Sequence, residues 1–225
     1  MFRALVFDLD DTLYVEKDFV RSGYRAVARH LADTGLCTFE TAYQTMIETL
    51  ELHGRHMVFS ALLEKLPSLS MSIQELVDAY RRHTPSIELF PGYLELLKQL
   101  GSNHKLGIIT DGLPEVQKRK VLALGLSEVM DKIIYTWEYG SEKQKPHPMP
   151  FSLMLECLGV EPEAALFVGD NPEKDCRGAH SIGMQAAQVQ IPSWRGGQAG
   201  TANQEGPEFV IETLYELPQI LRQTN

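Results

Sequence analysis

Strands that alternate with helices, interrupted once by a purely helical stretch, predict an α/β fold: a doubly wound sheet carrying an inserted helical subdomain. Three observations lead there. A short apolar run over 5–7 reads as a buried strand near the start of the chain. Over 14–84 no strand pattern occurs, and several helical patterns succeed one another. From Pro91 onward helix and strand patterns alternate, as a doubly wound sheet requires. The expected division is a core of 1–13 with 85–225 and an insertion of 14–84.

In the insertion, Phe19, Val20, Ala26, Val27 and Leu31 recur at helical spacing and predict a helix over 18–33. Thr38 can cap a second helix through Ala42, Met46, Ile47 and Leu50, and 57–66 and 72–83 read as two more, punctuated by Pro67 and Pro85. In the core the expected order is helix 93–100, strand 105–109, helix 115–124, strand 132–135, helix 150–158, strand 164–168, helix 175–182 and strand 185–189. A glycine-rich tract over 193–207 predicts a mobile loop, after which a strand at 209–211 and a helix at 215–221 close the domain.

The chemistry sits where these strands end. In Phe7-Asp8-Leu9-Asp10-Asp11-Thr12-Leu13 two carboxylates lie two residues apart, so an extended backbone turns Asp8 and Asp10 to one side, beyond the strand's carboxyl end. Open α/β sheets place their active sites there. One carboxylate can attack an electrophile while the other moves protons; equally, an acidic turn can merely cap the next helix. A second acidic cluster, Gly169-Asp170-Asn171-Pro172-Glu173-Lys174-Asp175, follows another buried strand. Two such strand ends can converge on a hard divalent cation, and Mg²⁺ is commonly held by one or two carboxylates with substrate phosphate and water. Between them, the Thr110 hydroxyl and the N–H groups of the turn at Asp111 and Gly112 make an anion site, unless Thr110 only caps the following helix. Lys145, followed by Pro146-His147-Pro148, supplies a cation on a restricted backbone.

These four pieces, in this order and over nearly the whole chain, resemble the haloacid dehalogenase superfamily, in particular its phosphatase branch. Its Asp-x-Asp-x-Thr motif fits Asp8, Asp10 and Thr12; its Ser or Thr after a strand fits Thr110; its Lys, often before Pro, fits Lys145; its Gly-Asp-x-x-x-x-Asp fits Gly169, Asp170 and Asp175. Two departures stand out: Asp111 occupies a position where many relatives carry Asn, and Lys143 competes with Lys145 for the third motif. The resemblance implies a Rossmann-like core and a C1-type helical cap, with Tyr14, Arg21, Tyr24 and the group His53-Gly54-Arg55-His56 as cap candidates. The histidines of that group read as a solvated helix end rather than metal ligands. It also implies a phosphatase for small phosphate monoesters: Asp8 as nucleophile, Asp10 as general acid/base, Thr110 and Lys145 gripping phosphate, Asp175 supporting Lys145 or metal-bound water. Mg²⁺ would be held by Asp8, the Asp10 backbone carbonyl and Asp170. A phosphomutase or a 2-haloacid dehalogenase shares this scaffold, as would a catalytically silent binding homologue. Dehalogenases of the family lack the second acid of the first motif, which Asp10 supplies here.

Composition narrows the setting. A net charge of −9 argues against nonspecific nucleic-acid binding or an anionic membrane surface. Cys37, Cys157 and Cys176, odd in number and widely spaced, suit reduced thiols. With its first strand almost at the start, the chain leaves no room for a signal peptide, so a cytoplasmic enzyme, monomeric or homodimeric, acting on a small phosphorylated metabolite is expected.

Overall fold

The computed structural model describes residues 1–67, 70–190 and 206–223. The glycine-rich tract expected as a loop lies, apart from Gly206 and Pro207, outside the described residues. In chain order the elements are β1 (Ala4–Phe7), α1 (Glu16–Asp33), α2 (Phe39–His53), α3 (Val58–Lys65), α4 (Ile73–Arg82), α5 (Tyr93–Gly101), β2 (Lys105–Thr110) and α6 (Pro114–Ala123). They continue with β3 (Lys132–Tyr135), α7 (Pro148–Leu158), β4 (Ala165–Gly169), α8 (Arg177–His180), β5 (Gln185–Val189), β6 (Phe209–Ile211) and α9 (Leu217–Gln223). The chain forms two compact units, Met1–Glu16 with Glu88–Asn225, and Lys17–Ile87. Their boundaries leave Tyr14 in the sheet-bearing unit.

That unit is built on a six-stranded sheet in the order β3-β2-β1-β4-β5-β6, parallel throughout. The chain winds outward from β1 through β2 to β3, then returns to lay β4 on the other side of β1. A reversal of this kind opens a crevice at the carboxyl ends of the two central strands. Phe7 lies level with Ile108 on one side and Val168 on the other, and the Asp8 N–H still donates to the Val168 carbonyl at 2.9 Å. The register therefore delivers the residues after β1 and β4 to one place. Strands β1 and β4 are buried along their whole length, as central parallel strands must be with helices on both faces.

Ala4, Val6 and Phe167 form one face of the core with Phe151 and Met154 of α7, Cys176 and Ala179. Two glycines permit this closeness. A Cβ on Gly107 would lie 2.6 Å from the Met154 sulfur, and one on Gly178 would lie 2.3 Å from the Phe151 ring. All three cysteines are free. Burial, helped by nearby Asp175 and Glu208, pushes the Cys176 thiol up to about 12, so it serves packing rather than nucleophilic chemistry.

Among its described residues the other unit holds the α-helices α1 to α4. Thr38 caps α2 by accepting from the Thr41 N–H, and Ser72 with Glu75 forms a reciprocal box at the start of α4. Gly23 on α1 makes room for the Tyr80 ring, which also meets Phe19 edge-on at 5.8 Å. His53 and His56 are exposed around the Gly54 end of α2. Among the described residues neither belongs to a group that could hold a metal ion. Nor, among those residues, is any helix long and apolar enough to cross a membrane.

Three elements differ from their sequence expectation. α7 starts before 150, because Pro148 suits the first helical position and His147 Nδ1 accepts from the Met149 N–H at 3.1 Å. The helix expected over 175–182 is instead a wide π-type turn, Pro172–Cys176, followed by the short α8. There the Asn171 side chain accepts from the Lys174 N–H at 3.2 Å, and Asp175 is drawn back toward the sheet. Thr110 ends β2, paired with Tyr135, rather than sitting on the turn.

Gly178→Ala forces a methyl group into the Phe151 ring, so unfolding in urea is expected to show a loss of about 1–3 kcal/mol with an unchanged slope.

Candidate active site

Asp8 stands immediately past β1. Its Oδ1 accepts a hydrogen bond from Lys145 Nζ, and its Oδ2 accepts from the Thr12 hydroxyl at 3.4 Å. Lys145 Nζ also donates to Asp175 Oδ1 at 2.7 Å, and the whole lysine is 3% exposed. The Asn171 N–H donates to Asp175 Oδ2 at 3.0 Å, which locks that carboxylate from its other side. Gly169 is required here: a Cβ on it would lie 2.3 Å from Asp175 Oδ2. Asp8, Asp170 and Asp175 each present an oxygen within 4.8 Å of the others, so strand ends far apart in sequence do converge.

The chain then turns away through Asp11, which adopts a left-handed φ of 56° and accepts from the Glu16 N–H at 2.9 Å. Of the acids in this turn, Asp11 thus caps the following helix. Asp10 lies near enough to raise the Asp8 carboxyl, though the two find different partners. Asp8 is turned to Lys145, whereas Asp10 is turned to α6. Lys120 Nζ lies 2.7 and 2.9 Å from the two Asp10 oxygens, Gln117 Nε2 donates to Oδ2 at 3.0 Å, and the Tyr14 hydroxyl donates to Oδ1. Gln117 Nε2 also donates to Thr110 Oγ1 at 2.5 Å.

Lys120 and Gln117 are site residues that sequence reasoning missed. A signal was present. Residues 116, 117, 120, 121 and 124 form a single helical stripe, and Gln117 and Lys120 interrupt it with polar groups between Val116, Val121 and Leu124. Tyr14, expected among cap residues, instead hydrogen-bonds Asp10 from the core unit.

Asp111, expected beside the phosphate-binding turn, has its carboxylate directed elsewhere. Its Oδ1 accepts from the Thr136 hydroxyl at 2.9 Å and from the Lys145 N–H at 3.1 Å, and its Oδ2 lies 3.5 Å from Lys174 Nζ. It ties the Lys145 loop to the end of β2. Gly112 follows with a φ of 119°, a value suited to glycine, at the turn into α6. Of the competing lysines, Lys145 enters the acidic cluster, while Lys143 faces His147 at 3.5 Å.

The electrostatics follow from this crowding. Burial pushes the Asp8 carboxyl well above its usual range; Lys145 opposes that, while Asp175, Asp170 and Asp10 add to it. Asp170 is pushed up to about 7, by burial first and then by Asp175, against the pull of Lys145. Burial disfavours charge on Lys145, but Asp175, Asp8 and Asp111 outweigh it and raise its pKa. Burial raises Asp10 too, yet Lys120 and the Tyr14 and Gln117 hydrogen bonds prevail and hold it below the ordinary value.

Fold and site together define a Rossmann-like hydrolase. The chain belongs to the haloacid dehalogenase-like hydrolases, whose family model matches residues 5–189. It is 29% identical over 234 residues to glyceraldehyde 3-phosphate phosphatase of Methanopyrus kandleri, covering 99% of this chain and 98% of that protein. Among solved structures it is similar to a HAD phosphatase from Thermococcus onnurineus, with a TM-score of 0.62, 26% identity and 98% of both chains covered. It is also similar to L-2-haloacid dehalogenase from Xanthobacter autotrophicus with covalently bound chloropropionic acid, with a TM-score of 0.64, 25% identity and both chains covered completely. One fold thus serves both activities, and the choice between them rests on the site.

The raised Asp170 has a measurable consequence. Its carboxyl keeps its proton up to about 7 when folded, against an ordinary value of 3.8, so ionisation works against folding. With metal chelated, the melting temperature is expected to fall as pH rises from about 4 to about 7, and Asp170→Asn is expected to flatten that decline. An equal decline in both proteins would show that Asp170 does not carry it.

Proposed function

We propose that this protein is a Mg²⁺-dependent phosphatase that hydrolyses a small phosphate monoester through an aspartyl-phosphate on Asp8. The observation that carries this reading is the convergence of Asp8, Asp170 and Asp175 around Lys145. Three carboxylates against one ammonium leave a deficit of two positive charges when all are ionised. A hard divalent cation fits that deficit and that set of oxygen donors. Asp8, Asp170 and the Asp10 backbone carbonyl would hold it, with Asp175 supporting Lys145 or metal-bound water. When bound, it supplies charge neutralisation for the phosphoryl oxygens.

The residues then divide the work. An Asp8 oxygen bonds to phosphorus as the bond from phosphorus to the leaving oxygen breaks, and Asp10 gives that oxygen its proton. In the second step water loses a proton to Asp10 while its oxygen displaces Asp8 from phosphorus. This restores both carboxyl groups and releases inorganic phosphate. Lys145 and the Thr110 hydroxyl, with backbone N–H groups of the turn at Asp111 and Gly112, hold the other phosphate oxygens. The Asp111 carboxylate acts as a tie to the Lys145 loop. The helical unit serves as a cap, and its closure excludes water during the transfer.

Asp10 favours this reading over dehalogenation, because displacement of a halide needs no proton donor, whereas an alkoxide leaving group does. The full-length likeness to glyceraldehyde 3-phosphate phosphatases makes a three-carbon sugar phosphate the first substrate to assay, within a wider panel of phosphorylated metabolites. We further propose a cytoplasmic monomer or homodimer with no nucleic-acid or membrane partner, in keeping with the net charge of −9.

Released phosphate should appear with Mg²⁺, stop on addition of EDTA and return with excess Mg²⁺. Asp8→Asn should lower kcat by at least ~10³-fold, the scale expected for loss of a nucleophile. Turnover that survives both chelation and that substitution would refute the mechanism.

A further inference from the structure

The buried cation on α6 is unexplained by the four family motifs. Lys120 is 3% exposed, and its ammonium bridges both oxygens of Asp10 at 2.7 and 2.9 Å. Gln117, one turn earlier on the same helix, donates to Asp10 Oδ2 at 3.0 Å and to Thr110 Oγ1 at 2.5 Å. With the Tyr14 hydroxyl, each Asp10 oxygen accepts from two donors: Tyr14 and Lys120 on Oδ1, Lys120 and Gln117 on Oδ2. A carboxylate offers about four lone-pair sites, so these contacts orient the ionised Asp10, and one donor gives way when Asp10 carries a proton.

Stability gives no reason for this arrangement, since an apolar side chain in an inward helix stripe serves packing as well as a buried ion pair or better. The geometry has a chemical reading instead. Both hydrogens of the Gln117 amide are directed, one to Asp10 and one to Thr110. Because Thr110 Oγ1 accepts from Gln117, its own hydroxyl hydrogen points elsewhere. α6 thus sets the proton-transferring carboxylate and the phosphate-binding hydroxyl from one rigid element.

We propose that Lys120, assisted by Gln117, is a positioning residue that holds the Asp10 carboxylate in the orientation from which a proton passes to and from the leaving oxygen. The inference rests on the phosphatase reading above and adds to it a residue that acts through Asp10. Its consequence depends on the leaving group. A basic alkoxide needs a proton as it departs, whereas p-nitrophenolate leaves readily without one. Misorienting Asp10 therefore penalises alkyl phosphates selectively in the transfer step that kcat/KM reports, whereas hydrolysis of the shared aspartyl-phosphate slows alike for every ester.

The test compares wild type, Lys120→Met and Asp10→Asn on a series of monoesters from p-nitrophenyl phosphate to glycerol phosphate, reading kcat and KM for each. For Lys120→Met we expect a loss of roughly 10²-fold in kcat/KM on the alkyl ester and a kcat/KM within about fivefold of wild type on p-nitrophenyl phosphate. The leaving-group dependence of Lys120→Met should parallel that of Asp10→Asn. A uniform loss of kcat/KM across the series, or no loss, would overturn the inference. If Lys120→Met fails to fold by circular dichroism, Gln117→Leu is read the same way: a steeper leaving-group dependence supports the inference, and an unchanged one overturns it. Wild-type protein inactive on every ester would instead remove the phosphatase reading itself, along with the inference that rests on it.

Discussion

Among the described residues, Asp8, Asp170 and Asp175 gather around the Lys145 ammonium where β1 and β4 end, and most of the site's architecture answers that imbalance. Two like charges about 5 Å apart repel by roughly 3–4 kcal/mol at an effective dielectric of 20, so Asp8, Asp170 and Asp175 cannot all stay ionised cheaply beside Lys145 alone. Protons relieve part of that strain, as the upward shifts of Asp8 and Asp170 record. A divalent cation would relieve the rest and return both groups to the anionic form that a nucleophile and a metal ligand require. Affinity for the cation and readiness of Asp8 are in this view a single property of the site.

The fold makes the imbalance possible. A parallel sheet that reverses its winding direction beside β1 brings Asp8 and the segment 170–175 side by side, although more than half the chain separates them. Gly169 contributes by the absence of a side chain, which lets Asp175 reach back to Lys145. Asp111, Thr136 and Lys174 fasten the Lys145 loop from behind, so the ammonium is fixed through its backbone as well as its charge. The Asp111 acid is accommodated beside the site because it faces that loop.

Much of this was legible in the chain. The strand ends at Asp8, Thr110 and Asp170 follow from short buried apolar runs, and the helical insertion follows from periodicity alone. What was not legible came from tertiary pairing. The π-type turn over Pro172–Cys176 exists because Asn171 and Asp175 find partners within the fold, which outweighs local helix propensity. The spacing of Asp8 and Asp10 did not announce that each carboxylate has its own cation, Lys145 for one and Lys120 for the other. Lys120 belongs to no motif; its place in the inward stripe, beside the half-buried Asp10 carboxylate, gives it meaning.

Two clusters now stand out with opposite settings: Asp8 among excess negative charge, its carboxyl raised, and Asp10 beside a dedicated cation, its carboxyl lowered. The lowered Asp10 suits the proton acceptor of the second step, and a bound cation would bring Asp8 down to the anionic form that attack requires. The most direct measurement is mass spectrometry of the acid-quenched enzyme taken during steady turnover with Mg²⁺ and a phosphate monoester. The account predicts a phosphoryl group on the peptide that carries Asp8 and on no other. A phosphoryl group found on a different residue, or an unmodified enzyme during active turnover, would contradict it.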